Sequence, residues 1–161
     1  MRPCVLLVVA ACSNPPPVAR PQAASAWQAF ARALPGAWAG TTDAGDTVGI
    51  SFRAISKGSA LAETFGTPGR ETMTLYHPDH GDIVATHYCG QGNAARLRVT
   101  SVRGSRVVFR QVDVTDLDAE EASLVEMEIE LAADGNAFER VEVYRDAKGT
   151  LARTRWRFVR Q

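Results

Sequence analysis

Residues 123–145 read SLVEMEIELAADGNAFERVEVYR, and the alternation on either side of Asp134-Gly135-Asn136 decides the fold. Apolar and charged side chains exchange places every second residue, the period of a strand with one face buried and one in water. A turn signal between two such runs makes the segment a β-hairpin. A three-residue loop would face Ile129 with Val141, Met127 with Val143 and Glu130 with Arg140, giving one apolar and one charged face. A two-residue loop would set Glu142 beside Met127 and mix charge into the core. A one-residue slip exchanges the two faces, so the three-residue register is the expected one. The last strand extends the pattern, with Trp156 and Phe158 inward and Arg153, Arg155 and Arg157 outward as a solvated charge ladder near Glu139–Glu142.

Working outward from this hairpin, the same period holds from Gly36 to the end. Strands are expected over 37–43, 47–55, 59–66, 70–77, 82–89, 95–103, 106–112, 123–132, 137–145 and 150–160, separated by Gly, Asp, Asn and Pro clusters. With no helical segment between strands, a parallel sheet has no crossovers to use. The expected class is all-β, an antiparallel up-and-down barrel of about ten strands, because closure removes the exposed edges of such a meander. Before it, Ser25 is placed to cap a short helix over 26–34, with Trp27, Phe30 and Leu34 at helical spacing and Pro35-Gly36 ending it.

Eighteen basic and eighteen acidic side chains cancel, so nothing in the net charge draws the chain to nucleic acid or to an anionic membrane surface. Three cysteines are present, Cys4 and Cys12 near the N-terminus and Cys89 alone in the body, which excludes a disulfide framework within the body. The first twelve residues, MRPCVLLVVAAC, place one positive charge before an apolar run and small residues before a cysteine, the pattern of a secretory signal. The run is too short to span a bilayer. Val9-Ala10-Ala11-Cys12 resembles the lipobox of bacterial lipoproteins, although eleven residues is short for such a signal, and Ser13 resembles the outer-membrane sorting pattern. The expected organisation is an export signal over 1–11, lipid attachment at Cys12, a Pro/Ala-rich tether over 12–24 and the barrel over 25–161, facing the periplasm from the outer membrane.

If Lys57-Gly58 is a two-residue loop, Phe52 faces Glu63 and Ile50 faces Phe65, which puts the Glu63 carboxylate on the apolar, inward face. A carboxylate there is costly unless paired or protonated, so it is the first functional candidate. In the next strand the apolar set Met73, Leu75 and His77 is expected inside. In 83–89 the set Ile83, Ala85, His87 and Cys89 is favoured over Val84, Thr86 and Tyr88. Glu63, His87, His77 and Cys89 would then share a lumen with Trp38, Phe52, Met73 and Trp156. Four roles stay open for them: a satisfied polar network, a polar anchor for a mostly apolar ligand, acid–base catalysis, or metal ligation. The residues favour the first two. No nucleophile motif accompanies them, no cofactor is implied, and catalysis is not the expected role.

Leu34-Pro35-Gly36-Ala37-Trp38-Ala39-Gly40 resembles the opening strand of the calycins, the group of lipocalins and fatty-acid-binding proteins. Four further runs, 59–64 (SALAET), 73–77 (MTLYH), 86–93 (THYCGQGN) and 112–117 (VDVTDL), resemble a bacterial family of lipocalin-like barrels of unknown function. The chain departs from that family at Ala94-Ala95, where Gln-Pro is usual, and at Asp116, where Asn is usual. The resemblance implies the barrel and, by analogy of fold, a small, mostly apolar ligand in the lumen of a lipid-anchored envelope protein. A non-catalytic structural or assembly module with a filled core is the alternative.

Overall fold

The computed structural model describes residues 20–161. The expected signal, Cys12 and the expected tether up to residue 19 lie outside the described residues. Helix α1 (Arg20–Ala33) is followed by ten strands: β1 (Gly36–Thr42), β2 (Thr47–Ile55), β3 (Ala60–Phe65), β4 (Thr72–Asp79), β5 (Asp82–Tyr88), β6 (Ala94–Arg103), β7 (Arg106–Thr115), β8 (Ser123–Leu131), β9 (Ala137–Arg145) and β10 (Leu151–Arg160). Each strand pairs antiparallel with the next, and β10 pairs with β1, so the sheet is a closed barrel with no free edge. The expected architecture is the observed one.

Closure depends on a small residue. Gly40 stands opposite Phe158 across the β1–β10 seam, and a Cβ at Gly40 would lie 2.3 Å from the Phe158 ring. Only glycine lets that ring fill the lumen next to the seam. The first and last strands are fastened at the same seam. Arg160 donates to the carbonyls of Ala33 and Pro35 and lies 4.1 Å over the Trp38 ring, while Trp38 Nε1 donates to Leu34 O at 2.9 Å.

Helix α1 begins six residues earlier than expected, at Arg20, so residues 20–24 are helical and Ser25 lies within the helix. Pro21 reads as tether, yet in the first helical turn its missing N–H costs nothing. Ala23, Ala26, Phe30 and Leu34 form the buried stripe. Phe30 meets Phe109, with ring centroids 6.3 Å apart, so α1 covers one end of the barrel. In an up-and-down meander alternate loops share an end. The α1 end carries loops 56–59, 80–81, 104–105 and 132–136, and the far end carries 43–46, 66–71, 89–93, 116–122 and 146–150.

Two expected faces are reversed. In the β8–β9 hairpin Ile129 faces Arg140 and Met127 faces Glu142, so Arg140 and Glu142 point inward and Val141 and Val143 outward. The turn spans residues 133–136, closed by the Ala132 N–H bonding to Ala137 O, instead of a three-residue loop. In β4 the inward set is Thr72, Thr74 and Tyr76; Met73 and His77 are exposed outside. Both reversals have one cause: Glu63 is inside and needs a cation and hydroxyl donors, which valines, Met73 and Leu75 cannot supply. Val141 and Val143 stay buried on the outer face beside Arg155 and Arg153, whose aliphatic stems can cover them. The outward ladder exists as expected around Glu139, which accepts from Arg155 at 2.6 Å and Arg157 at 3.3 Å; Arg153 instead reaches Glu126 at 3.8 Å, and Glu142 takes no part.

Candidate functional site

The polar centre of the lumen is built by strand register. Phe52, Glu63, Thr74, His87 and Ala95 are successive cross-strand partners on β2 to β6, so one row runs across the wall at a single level. The Lys57-Gly58 turn gives the Phe52–Glu63 pairing expected of it, and His87 falls on the inward face expected of β5. Across the lumen, β9 presents Arg140, Glu142 and Tyr144.

Arg140 Nη1 donates to Glu63 Oε1 at 2.6 Å, and Nη2 donates to Glu142 Oε1 at 2.7 Å. Tyr76 OH donates to Glu63 Oε2 at 2.5 Å, and Thr74 Oγ1 donates to Glu63 Oε1 at 3.2 Å. The single Thr74 hydroxyl proton is then spent, so His87 Nδ1, 3.1 Å away, is the donor to Thr74 Oγ1. His87 Nε2 is left as acceptor for Tyr144 OH at 3.1 Å. This assigns the neutral Nδ1–H tautomer from the bonding pattern.

Burial, reinforced by the positive charge of Arg140, lowers the His87 pKa to about 3, so the ring is uncharged at neutral pH. Burial, then the Glu63 charge, raises the Tyr76 phenol well above its ordinary value. Burial and the Glu142 carboxylate do the same to Tyr144. Burial disfavours charge on Arg140, but Glu142 and Glu63 outweigh it and hold the guanidinium protonated. Arg140 Nε has no partner among the described residues, one polar atom left over in a crowded centre.

These contacts bridge the barrel. Arg140 on β9 meets Glu63 on β3, Tyr144 on β9 meets His87 on β5, and Tyr76 OH on β4 lies 3.5 Å from Met127 Sδ on β8. A void wide enough for water would leave accessible area on the side chains around it. Glu63, Thr74, Tyr76, Met127 and Arg140 are all 0% exposed. The lumen is filled at this level, and no hydroxyl or thiol here is both free and beside an open base. Surface clefts of about 370–620 Å³ lie elsewhere; the 620 Å³ cleft is lined by Leu131, Phe138, Phe158 and neighbours.

Of the expected site residues, Glu63 and His87 meet through Thr74. Phe52 packs 6.4 Å from Tyr76, and Trp38 lies 5.0 Å from Phe138, nearer the α1 end. Met73 is outside, opposite Tyr88. His77 is outside and bonds the Pro78 carbonyl at 3.1 Å. Cys89 is half-buried, with Sγ 4.0 Å from Gln91 Oε1. Trp156 is half-buried at the far end, 5.6 Å from Phe65 across the lumen. Sequence reasoning missed Thr74, Tyr76, Arg140, Glu142 and Tyr144. The demand of an inward Glu63 for a counter-charge was the signal that could have found them.

No family model matches the chain, and no curated protein matches it in sequence. Solved structures do match in shape. Rv2717c from M. tuberculosis aligns with a TM-score of 0.55 at 18% identity, covering 84% of this chain and 97% of that one. A protein of unknown function from the DUF3598 family of Nostoc punctiforme aligns with a TM-score of 0.55 at 10% identity over 81% of this chain. The present chain spans about half of the Nostoc protein, 49% of its length. At these identities the likeness is one of fold alone: the chain is an antiparallel β-barrel that shares its architecture with these two proteins.

Proposed function

We propose that this barrel is a small-molecule-binding module of the bacterial cell envelope, and that its ligand rests at the far end against Phe65, Tyr144 and Trp156. The observation behind this reading is a gradient of exposure. The α1 end is covered and the centre is bridged by bonds, whereas Phe65, Tyr144 and Trp156, all packed on the core, keep exposed surface at the far end. Half-exposed aromatic rings above buried polar groups are common in ligand sites. The resemblance to calycins, which hold small molecules at or inside a barrel mouth, supports the same reading. It moves the expected ligand from the lumen centre to its rim.

Titrating the protein with Nile red, an uncharged apolar dye, should give saturable, blue-shifted emission. Trp156→Ala should weaken the dye by about tenfold, the loss of roughly 1.4 kcal/mol of aromatic contact. Non-saturable emission, or an unchanged affinity in Trp156→Ala, would remove this reading. A filled-core structural or assembly module is the second reading, favoured by the bonds across the lumen; it expects no saturable dye binding.

The envelope placement rests on the Val9-Ala10-Ala11-Cys12 pattern. Cells expressing the full chain should incorporate labelled palmitate into it, and Cys12→Ser should abolish the label. A wild-type chain that stays unlabelled in the soluble fraction would refute the anchor.

A further inference from the structure

The far-end site, if it binds small molecules as proposed above, has a definite charge preference. We propose that its ligand is an organic cation, an amine or quaternary ammonium compound with an apolar body.

The first reason is the balance of buried charge. Arg140 stands between Glu63 and Glu142, and the other titratable groups bonded into the cluster, His87, Tyr76 and Tyr144, are uncharged. Two carboxylates face one guanidinium. An unbalanced charge in a low-dielectric interior is costly, and a cation placed near it recovers part of that cost. The two carboxylates are not equivalent. Glu63 is enclosed by Arg140, Tyr76 and Thr74, whereas Glu142 lies one inward position nearer the far end and keeps 6% of its surface exposed. Glu142 is the carboxylate a ligand can approach.

The second reason is the rings around it. Tyr144 is the next inward residue on β9 and feels the Glu142 charge; Trp156 pairs with Arg140 in register and meets Phe65 edge-on. Aromatic faces carry negative potential and attract cations, Trp most strongly. Phe65 already serves in this way, with the Arg140 guanidinium 5.2 Å from its centroid.

The third reason is the rim. The five far-end loops carry eight acidic residues against two basic ones, Arg70 and Lys148, and one of the eight, Asp43, is held by Arg157. The four loops at the α1 end carry one lysine and one aspartate, Lys57 and Asp134. A mouth of one sign steers ligands of the other. Two buried oxygens at this same end, Thr72 Oγ1 and Asn93 Oδ1, have no hydrogen-bond partner among the described residues, and Asn93 is 0% exposed. Oxygens carry partial negative charge, so unpartnered ones at this end add to its preference for a cation.

Three probes with one tail separate the possibilities: octyltrimethylammonium, octanol and octanoate, each titrated by tryptophan fluorescence below its aggregation limit. The ammonium is expected to bind at least tenfold more tightly than the other two and to weaken as salt rises. Glu142→Gln should erase the preference. Should that variant not fold, the rim variant Asp118→Asn/Glu120→Gln should weaken the ammonium severalfold and reduce its salt dependence. If octanol or octanoate binds as well as the ammonium, the cation preference is overturned while the binding site stands. If none of the three binds, the site falls and the preference with it.

Discussion

Replacing Arg140 by methionine is expected to destabilise the fold by about 3–5 kcal/mol, read as a lower midpoint of urea unfolding. Arg140 is 0% exposed, and its two bonded carboxylates are buried with it. Methionine fills much of the same volume, so lost packing is a minor part of the effect. The cost comes from Glu63 and Glu142, left as buried charges without a counter-ion. Adding Glu63→Gln and Glu142→Gln to Arg140→Met should therefore return a large part of the stability, because the stranded charges are gone. Arg155→Met provides the contrast: its bond to Glu139 is short at 2.6 Å, but both partners are in water, and the expected loss is under about 1 kcal/mol. A domain of this size has only about 5–15 kcal/mol in hand, so Arg140→Met should remove a large share of its stability. An effect below about 1 kcal/mol would mean that the cluster is not a closed ionic unit.

That cluster also marks where the sequence was legible and where it was not. The ten strands, their antiparallel order and the closure are readable because period-two alternation and turn residues are local signals. The Phe52–Glu63 register is readable because Lys57-Gly58 ties two neighbouring strands together. The inward faces of β4 and β9 are not local facts. Each strand offers two sets, an apolar one and one bearing hydroxyls or charge, and apolarity alone selects Met73 and Leu75, or Val141 and Val143. The choice is made 77 residues away in sequence, where Glu63 needs Arg140, and across β4, where the same carboxylate takes the hydroxyls of Thr74 and Tyr76. Burying the apolar sets instead would leave a lone carboxylate in the lumen, at a large cost, while Val141 and Val143 gain little because they are already buried on the outer face. An inward acidic residue found by register is thus a reason to look for its cation among strands that otherwise read as apolar. The far-end site was legible only in part. Trp156 is placed inward by alternation, but its neighbour Phe65 comes from β3, three strands round the barrel, and Tyr144 belongs to the face of β9 that apolarity alone turns outward.

Lowering the pH should expose His87 as the acid-labile point of the barrel. Its ring is neutral and buried, with Thr74 on one nitrogen and Tyr144 on the other, and its pKa is held at about 3 against about 6.5 in an unfolded chain. Between those values the unfolded state binds a proton that the folded state refuses. Stability from this group is therefore complete above about pH 6.5 and falls as the pH drops, by about 1.4 kcal/mol per unit, until the folded ring itself titrates near 3. The whole span is about 5 kcal/mol. Other groups also titrate there, so the informative quantity is a difference. His87→Gln keeps a donor and an acceptor but has no proton to gain. The stability gap between wild type and His87→Gln, measured by urea unfolding from pH 7 to pH 3.5, should shrink and then reverse sign as the pH falls, by about 4 kcal/mol in total. A gap that stays constant over that range would place the His87 ring in contact with water and break the chain from Glu63 to Tyr144. On the alkaline side the direction is opposite. Tyr76 and Tyr144 have raised pKa values, so the unfolded chain releases their protons first, and stability should decline as the pH passes about 10. The same burial that fills the lumen thus confines the stable fold to the interval between an unprotonated His87 and two protonated tyrosines.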